Sequence, residues 1–149
     1  MTERTLIIVK PDAVQANNTQ TILETLQERG LKILASGQIR LSRPQAAGFY
    51  AEHRGKPFYD ELVEFMTSGP CVVGVLEAEG AIGLVRDIIG NTNPSLAAEG
   101  TIRRRFGSST TRNTIHASDS PQSAQREIAF LFPDLLLPVP AESERLAAG

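Results

Sequence analysis

Residues 6–9 read L-I-I-V, a run that is wholly apolar, rich in β-branching and far too short to be a buried helix. It has no alternation, so it has no face to turn toward water. A run of this kind is the signature of a central strand covered on both sides. Pro11 ends it, because proline has no N–H to give to a ladder. A second apolar run, C-V-V-G-V-L at residues 71–76, opens after Gly69-Pro70 and reads as another strand. Interior strands need helices to cover them, and the rest of the chain carries helical spacing where it is needed.

Ile22, Leu23 and Leu26 bracket a helix over residues 19–29, closed by Gly30 as a C-terminal cap. Residues 31–41 alternate well enough for a strand, with Gly37 as the place where it can break. Ser42 caps a helix beginning near Pro44 and carrying Ala46, Phe49 and Tyr50 to His53. After a basic turn (Arg54, Gly55, Lys56, Pro57), Phe58, Leu62, Val63 and Phe65 fall at helical spacing. Residues 81–89 are helical and stop at Gly90. Residues 91–112 have no strong period and are rich in Gly, Ser, Thr and Asn; a loop of that length inside a compact domain is usually functional or disordered. Residues 114–115 are a short last strand. Asp119 or Ser120 caps a final helix whose buried stripe is Ala124, Ile128, Ala129 and Leu131, ending near Phe132. From Pro133 the chain (P-D-L-L-L-P-V-P-A) has prolines and apolar residues but no period, and is expected to pack extended on a surface.

This order, β-α-β-α-β-α-β with one extra helix, predicts an α+β sandwich of the ferredoxin-like split-βαβ type, βαββαβ, with a four-stranded antiparallel sheet and the helices on one sheet face. No repeat or linker divides residues 1–149, so one domain is expected, with its core over residues 4–132 and a tail from 133. At 149 residues and 41% hydrophobic content it is an ordinary globular chain, one that buries about two-thirds of its unfolded surface. The net charge of −2 gives no global pull toward nucleic acid or anionic membrane. Cys71 sits in an apolar strand and is expected to be buried and inert. No long apolar stretch marks a signal peptide or a membrane span, so a soluble, reducing, cytoplasmic setting is expected.

His116 stands in N-T-I-H-A-S-D-S (residues 113–120), just before the last helix; His53 is the other histidine. Neutral imidazole is a good nucleophile toward phosphorus. The helix that starts beside it offers free backbone N–H groups to an anion. Lys10 closes the first strand. Arg86, Arg103, Arg104 and Arg105 flank or lie within the polar loop and could clamp phosphate oxygens in bidentate fashion, although any one of them read alone is a solvated loop arginine. Thr92 and Asn113 could add neutral hydrogen bonds. Phe58 reads as core or as a base-stacking ring, and Glu127 as an exposed helix acid. No G-x-x-x-x-G-K-[ST] loop, G-x-G-x-x-G or Cys/His zinc spacing is present.

These residues, in this order, resemble nucleoside diphosphate kinases. The family's N-x-x-H-G-S-D-S reads here N-T-I-H-A-S-D-S. Agreement continues through I-I-V-K-P-D-A-V, F-Y-A-E-H-R-G-K-P-F-Y, L-V-E-F-M-T-S-G-P, G-N-T-N-P and G-T-I-R, over residues 4–132 without obvious gaps. The resemblance implies ping-pong transfer of a γ-phosphate from a nucleoside triphosphate, mainly ATP, to a nucleoside diphosphate through a phosphohistidine on His116 Nδ1. It implies that Lys10, Arg86, Thr92, Arg103 and Asn113 hold phosphates and ribose, with Lys10, Tyr50 and Asn113 beside the transferring group. Phe58 would stack on the base with Leu62 near it. Glu127 would accept from Nε2–H, and Ser118 and Ser120 would support that geometry. Mg²⁺ would ride on the nucleotide phosphates without direct protein ligands. A homo-oligomer, tetramer or hexamer, built from a common dimer is implied; no specific nucleic acid is expected as a partner.

Two other classes fit less well. A silent relative serving as a binding protein would be expected to lose His116 or a clamp arginine, and none is missing. A ferredoxin-like nucleic-acid module would show aromatic pairs on its sheet, and the first and third strands have none.

The chain departs from the family in three places. Ala117 replaces the usual glycine, at a cost of roughly 1 kcal/mol should that position need a positive φ. The stretch Q-A-N-N-T-Q lacks the usual basic and glycine residues. Arg104 and Arg105 stand where the family has Gly and Asp. Arg104→Gly with Arg105→Asp is therefore expected to alter assembly or salt response more than chemistry. Sedimentation and activity across a salt series check this, and identical behaviour of the two proteins refutes it.

Overall fold

The computed structural model describes residues 2–136. Strand β1 (Thr2–Val9) leads directly into α1 (Pro11–Gln15) and α2 (Thr19–Glu28), followed by β2 (Lys32–Ile39) and α3 (Arg43–Phe49). A 3₁₀ turn (Ala51–His53) and α4 (Tyr59–Met66) precede β3 (Cys71–Glu79) and α5 (Ala81–Ile89). A second 3₁₀ turn (Pro94–Leu96) is followed by α6 (Ile102–Phe106), β4 (Ile115–Ala117), α7 (Pro121–Leu131) and α8 (Pro133–Leu136).

The four strands form one sheet in the order β2-β3-β1-β4, with antiparallel neighbours throughout. This is the ferredoxin-like α+β arrangement that the pattern predicts. Strand β1 is central: Leu6, Ile7, Ile8 and Val9 are all 0% exposed. Its register places Leu6 opposite Val75 of β3 and Ile8 opposite His116 of β4.

Helices cover both faces of the sheet, not the single face expected. Ile7 and Val9 pack with Ile22 and Leu26 of α2 and with Val85 and Ile88 of α5. Leu6 and Ile8 pack on the other side with Phe49 of α3, Val63 and Met66 of α4 and Ile128 of α7. Neither β1 nor β3 offers a polar face to water. Leaving one side bare would expose a row of aliphatic side chains, each worth about 1.5–3 kcal/mol when buried.

Several boundaries differ from the sequence reading. Pro11 does more than end the strand; it begins α1, where its missing N–H costs nothing. The irregularity in β2 lies between Ile33 and Ala35 and not at Gly37. The helix opened by Ser42 has the expected cap, a full capping box with Gln45, yet stops at Phe49 and tightens to 3₁₀. The expected structureless stretch over 91–112 contains α6, capped by Thr101, whose side chain accepts from Arg104 N–H. Its anchors are Ile102 and Phe106, one helical turn apart, in the α2/α5 core. Residues 133–136 are a short helix and not extended chain, with proline at the first position and Asp134 in the first turn. The rest of the expected extended tail lies outside the described residues.

Gly90 ends α5 with φ +89°, and a Cβ there would lie 2.6 Å from Thr101 Oγ1. Both the backbone and the neighbour forbid a side chain. Gly90→Ala is expected to cost about 2 kcal/mol in urea unfolding and to displace the α6 cap that Thr101 provides.

Candidate functional site

The last strand places His116 at mid-strand, between Ile115 and Ala117, and not after a strand of residues 114–115. Thr114 instead forms a tight turn, with φ 82° and Ile115 N–H donating to Asn113 C=O at 2.9 Å. That is a γ-turn, a strained conformation for a β-branched residue. Two contacts hold it: Thr114 N–H donates to Asp12 Oδ2 at 3.1 Å, and Thr114 C=O accepts from Lys10 N–H at 2.9 Å. The turn thus locks the end of β1 to the start of β4. Ala117 has no positive φ, so the cost its Cβ threatened does not arise.

His116 Nε2 lies 2.8 Å from Glu127 Oε1. A carboxylate only accepts, so Nε2 donates and Nδ1 carries the free lone pair. Ser118 Oγ donates to the same Oε1 at 2.8 Å and accepts from Leu6 N–H at 3.2 Å. Glu127 is thus no exposed helix acid but a buried one, tied through Ser118 to the central strand. The rings of Phe49 and Tyr50 meet the imidazole edge-on at 5.2 and 5.9 Å. Ser120 caps α7 by accepting from Ser123 N–H at 3.1 Å.

His116 opens onto a cavity of about 350 Å³. Lys10, Tyr50, Phe58, Leu62, Arg86, Thr92, Arg103 and Asn113 also line it, so the structure gathers these sequence-selected residues at one place. Arg104 and Arg105 lie elsewhere: Arg104 reaches Ser95 C=O, and Arg105 covers the ring of Phe106.

The cations are held by carbonyls. Lys10 Nζ donates to Thr111 C=O at 3.2 Å, and Arg86 Nη1 to Ala117 C=O at 3.3 Å. Arg103 spans Gly90 C=O at 2.9 Å and Ile115 C=O at 2.7 Å. Among the described residues none of the three has a carboxylate within ion-pair distance. Burial, and then the nearby charge of Arg103, push Lys10 down to about 7, although Asp12 pulls the other way. Burial and Arg86 bring Arg103 down to about 10, which leaves the guanidinium charged at neutral pH. Buried Lys10 and Arg103, with Arg86 beside them and no carboxylate at ion-pair distance among the described residues, form an arrangement that can receive an anion.

Asn113 fixes the cavity wall by donating from Nδ2 to Thr92 C=O at 2.9 Å and Thr110 C=O at 3.0 Å, while its buried Oδ1 has no partner. Tyr50 is buried with its hydroxyl unpartnered, and burial and then Glu127 hold its proton on more tightly than usual. Phe58 is not core: it stands 43% exposed at the cavity, with Lys56 Nζ 5.9 Å from its ring centre. Leu62 is buried one turn of α4 further on.

Sequence reasoning missed Glu52, His53, Thr110, Thr111 and Asp119, which also line the cavity. His53 carried a signal, as the second histidine beside a basic turn; burial and Lys56 lower its proton affinity. The paired threonines carried none, because a polar loop reads alike whichever way it faces.

The nucleoside diphosphate kinase family matches residues 3–136. The chain is similar to the nucleoside diphosphate kinase of Paracoccus denitrificans, 55% identical over 135 residues, covering 91% of this chain and 96% of the relative. It is also similar to that of Syntrophotalea carbinolica, 51% identical over 133 residues, covering 89% and 97% respectively. Among solved structures, the Aquifex aeolicus nucleoside diphosphate kinase superposes with a TM-score of 0.89 at 48% identity, covering 93% of this chain and all (100%) of that one. The Halobacterium salinarum enzyme, solved in complex with CDP, gives 0.88 at 38% identity and 98% coverage of both chains. Sequence agreement along nearly the whole described chain, on the same fold, decides the assignment: the chain belongs to the nucleoside diphosphate kinase family.

Proposed function

We propose that His116 carries the phosphoryl group in the family's reaction, and that the cavity around it serves the donor and the acceptor nucleotide in turn. The chain is a phosphotransferase by family. In the first half-reaction the Nδ1 lone pair forms a bond to the γ-phosphorus of a nucleoside triphosphate, mainly ATP. The bond from that phosphorus to the β,γ-bridging oxygen breaks, and the diphosphate leaves with the electron pair. In the second half-reaction a terminal oxygen of another nucleoside diphosphate takes the group from Nδ1. The Nε2 proton stays in place, and its hydrogen bond to Glu127 offsets the positive charge the ring gains on phosphorylation. The observation that carries this reading is the Glu127–His116 contact at 2.8 Å, because it commits one ring nitrogen and frees the other.

Lys10, Arg86 and Arg103 would hold the phosphate oxygens and stabilise charge in an in-line transition state. Thr92 and Asn113 would bind phosphate or ribose, and Tyr50 would bound the transferring group with Ser118 behind Glu127. Phe58, exposed at the cavity, would stack on the base with Leu62 beside it. A stacking ring discriminates little among bases.

Mg²⁺ suits this chemistry. Besides Glu127, the acids lining the cavity are Glu52 and Asp119, and the other polar groups are cationic or neutral apart from the imidazoles. The ion would therefore arrive on the nucleotide, ligated by phosphate oxygens and water, and would neutralise phosphate charge.

Strand β2 is an edge of the sheet. Its outer backbone groups and partly exposed Ile33, Leu34 and Ile39 support dimerisation, from which tetramers or hexamers can be built. No helix among the described residues is long and apolar enough to cross a membrane. A cytoplasmic setting suits Cys71, a free buried thiol held up at about 11 by burial.

Incubation with Mg²⁺ and γ-labelled ATP should leave an acid-labile label on the protein that GDP or CDP discharges. His116→Gln and His116→Asn should take up no label yet bind nucleotide, since the cations remain. A labelled His116→Gln protein would overturn the assignment.

Lys10 also predicts a pH dependence. In the empty site it loses its proton near pH 7, and a bound phosphate favours the charged form and raises its pKa. Nucleotide binding should therefore take up a proton. Affinity should fall as pH rises above 7, by up to about tenfold per pH unit for one linked proton. Calorimetry in buffers of different ionisation enthalpy measures that uptake, and Lys10→Met should remove it.

A further inference from the structure

Arg126 precedes Glu127 on α7 and reaches three groups. Its Nη1 donates to Phe49 C=O at 3.2 Å, and its Nη2 donates to Glu52 Oε1 at 3.2 Å. The same Nη2 lies 3.6 Å from Glu127 Oε2. Phe49 and Glu127 are two of the residues that touch the His116 ring, one by an edge contact and one by a hydrogen bond.

The division of Glu127 is instructive. Its Oε1 accepts from both His116 and Ser118, whereas among the described residues Oε2 has Arg126 as its sole ion-pair partner. A buried carboxylate is costly when its charge is unanswered, and it can rotate about its last bond when one oxygen is loose. The guanidinium answers both problems from the rim, since its planar fork fixes several acceptors at once. As an ion pair with Glu52 it adds little, because both side chains are half exposed, 41% and 54%. Its effect is geometric. It ties α7, which carries Glu127, to the end of α3 and the following 3₁₀ turn, which carry Phe49, Tyr50 and Glu52.

We infer that Arg126 is a positioning residue for His116: by bracing Glu127 Oε2 and the Phe49 carbonyl together, it fixes the ring's orientation and its Nε2–H tautomer without touching substrate. The inference rests on His116 being the phosphoryl carrier, for its kinetic part only.

The test compares the full-length parent with Arg126→Met and Arg126→Lys, each labelled with ¹⁵N-histidine. Met keeps the apolar stem of a half-exposed residue, so the fold should persist. Arg126→Met should slow single-turnover phosphorylation of His116 by Mg-ATP about tenfold, the order expected when a reacting group loses orientation. ADP affinity should be unchanged, because the phosphate-binding cations are untouched. The His116 nitrogen signals of the Met variant should move toward a mixture of tautomers, and Arg126→Lys should recover part of both effects. Parent-like rates and nitrogen signals in Arg126→Met overturn the inference. So does a loss of rate that tracks a loss of ADP binding while the signals stay parent-like. If the parent itself takes no phosphoryl group, the phosphohistidine reading fails, and the nitrogen spectra still decide whether Arg126 sets the tautomer.

Discussion

A strand buried on both faces and paired on both edges leaves its polar neighbours no route to solvent, and β1 is such a strand. The rest of the molecule answers to it. Two helical layers exist because Leu6 and Ile8 face one way and Ile7 and Val9 the other. The Leu6 N–H, next to the short strand β4, is met by Ser118 Oγ, which in turn donates a hydrogen bond to Glu127. Lys10, the residue after the strand, inherits its burial and is left with a carbonyl for a partner. Packing and chemistry are thus joined on one element, since the hydrophobic demand of the strand puts the ammonium out of water's reach.

The electrostatics follow the same logic. A chain with a net charge of −2 makes a strongly positive spot by arrangement and not by composition. Backbone carbonyls hold Lys10, Arg86 and Arg103 in place, and carbonyl dipoles neutralise a cation much less than a carboxylate does. Asp12 acts on Lys10 and Arg86 on Asp119 from a distance, but among the described residues no carboxylate reaches ion-pair distance of the three cations, and Glu127 is occupied by His116, Ser118 and Arg126. The site is therefore incomplete as it stands. On the proposed function, a nucleotide phosphate entering the cavity would supply the counter-charge that folding withheld, and binding there would recover free energy that the empty protein lacks.

Much of this was legible in the sequence. The strand positions came from apolar runs, and the caps at Ser42, Gly30 and Gly90 came from residues with one favoured place. Residue type and, for Tyr50 and Leu62, the family resemblance singled out several cavity residues that are far apart in the chain, but not Glu52, His53, Thr110, Thr111 or Asp119. Other features depended on three-dimensional context. Helix α6 is five residues long, too short for periodicity to register, and only the Thr101 cap with Ile102 and Phe106 a turn apart hinted at it. The γ-turn at Thr114 contradicts a β-branched residue's own preference and exists because Asp12 and Lys10 hold it from a distant part of the chain. Read from residues alone, Glu127 looked like an exposed acid; its burial is set by α7 packing on β1, where Ile128 meets Leu6 and Ile8. Phe58 shows the reverse, an aromatic at helical spacing that stands exposed at the first position before α4 instead of filling the core.

The hydrogen bonds from Leu6 to Ser118 and from Thr114 to Asp12 each join residues more than 100 apart in sequence (separations of 112 and 102). Contacts of such high order form late, after most of the loop-closure entropy has been met. A growing polypeptide that has made β1, β2 and β3 still lacks the imidazole, the carboxylate and the γ-turn that orients them. If His116 carries the phosphoryl group, its environment would be complete only once β4 pairs with β1 and α7 packs on the sheet. On the proposed function, reactivity at that ring would therefore depend on contacts that join the two ends of the described chain.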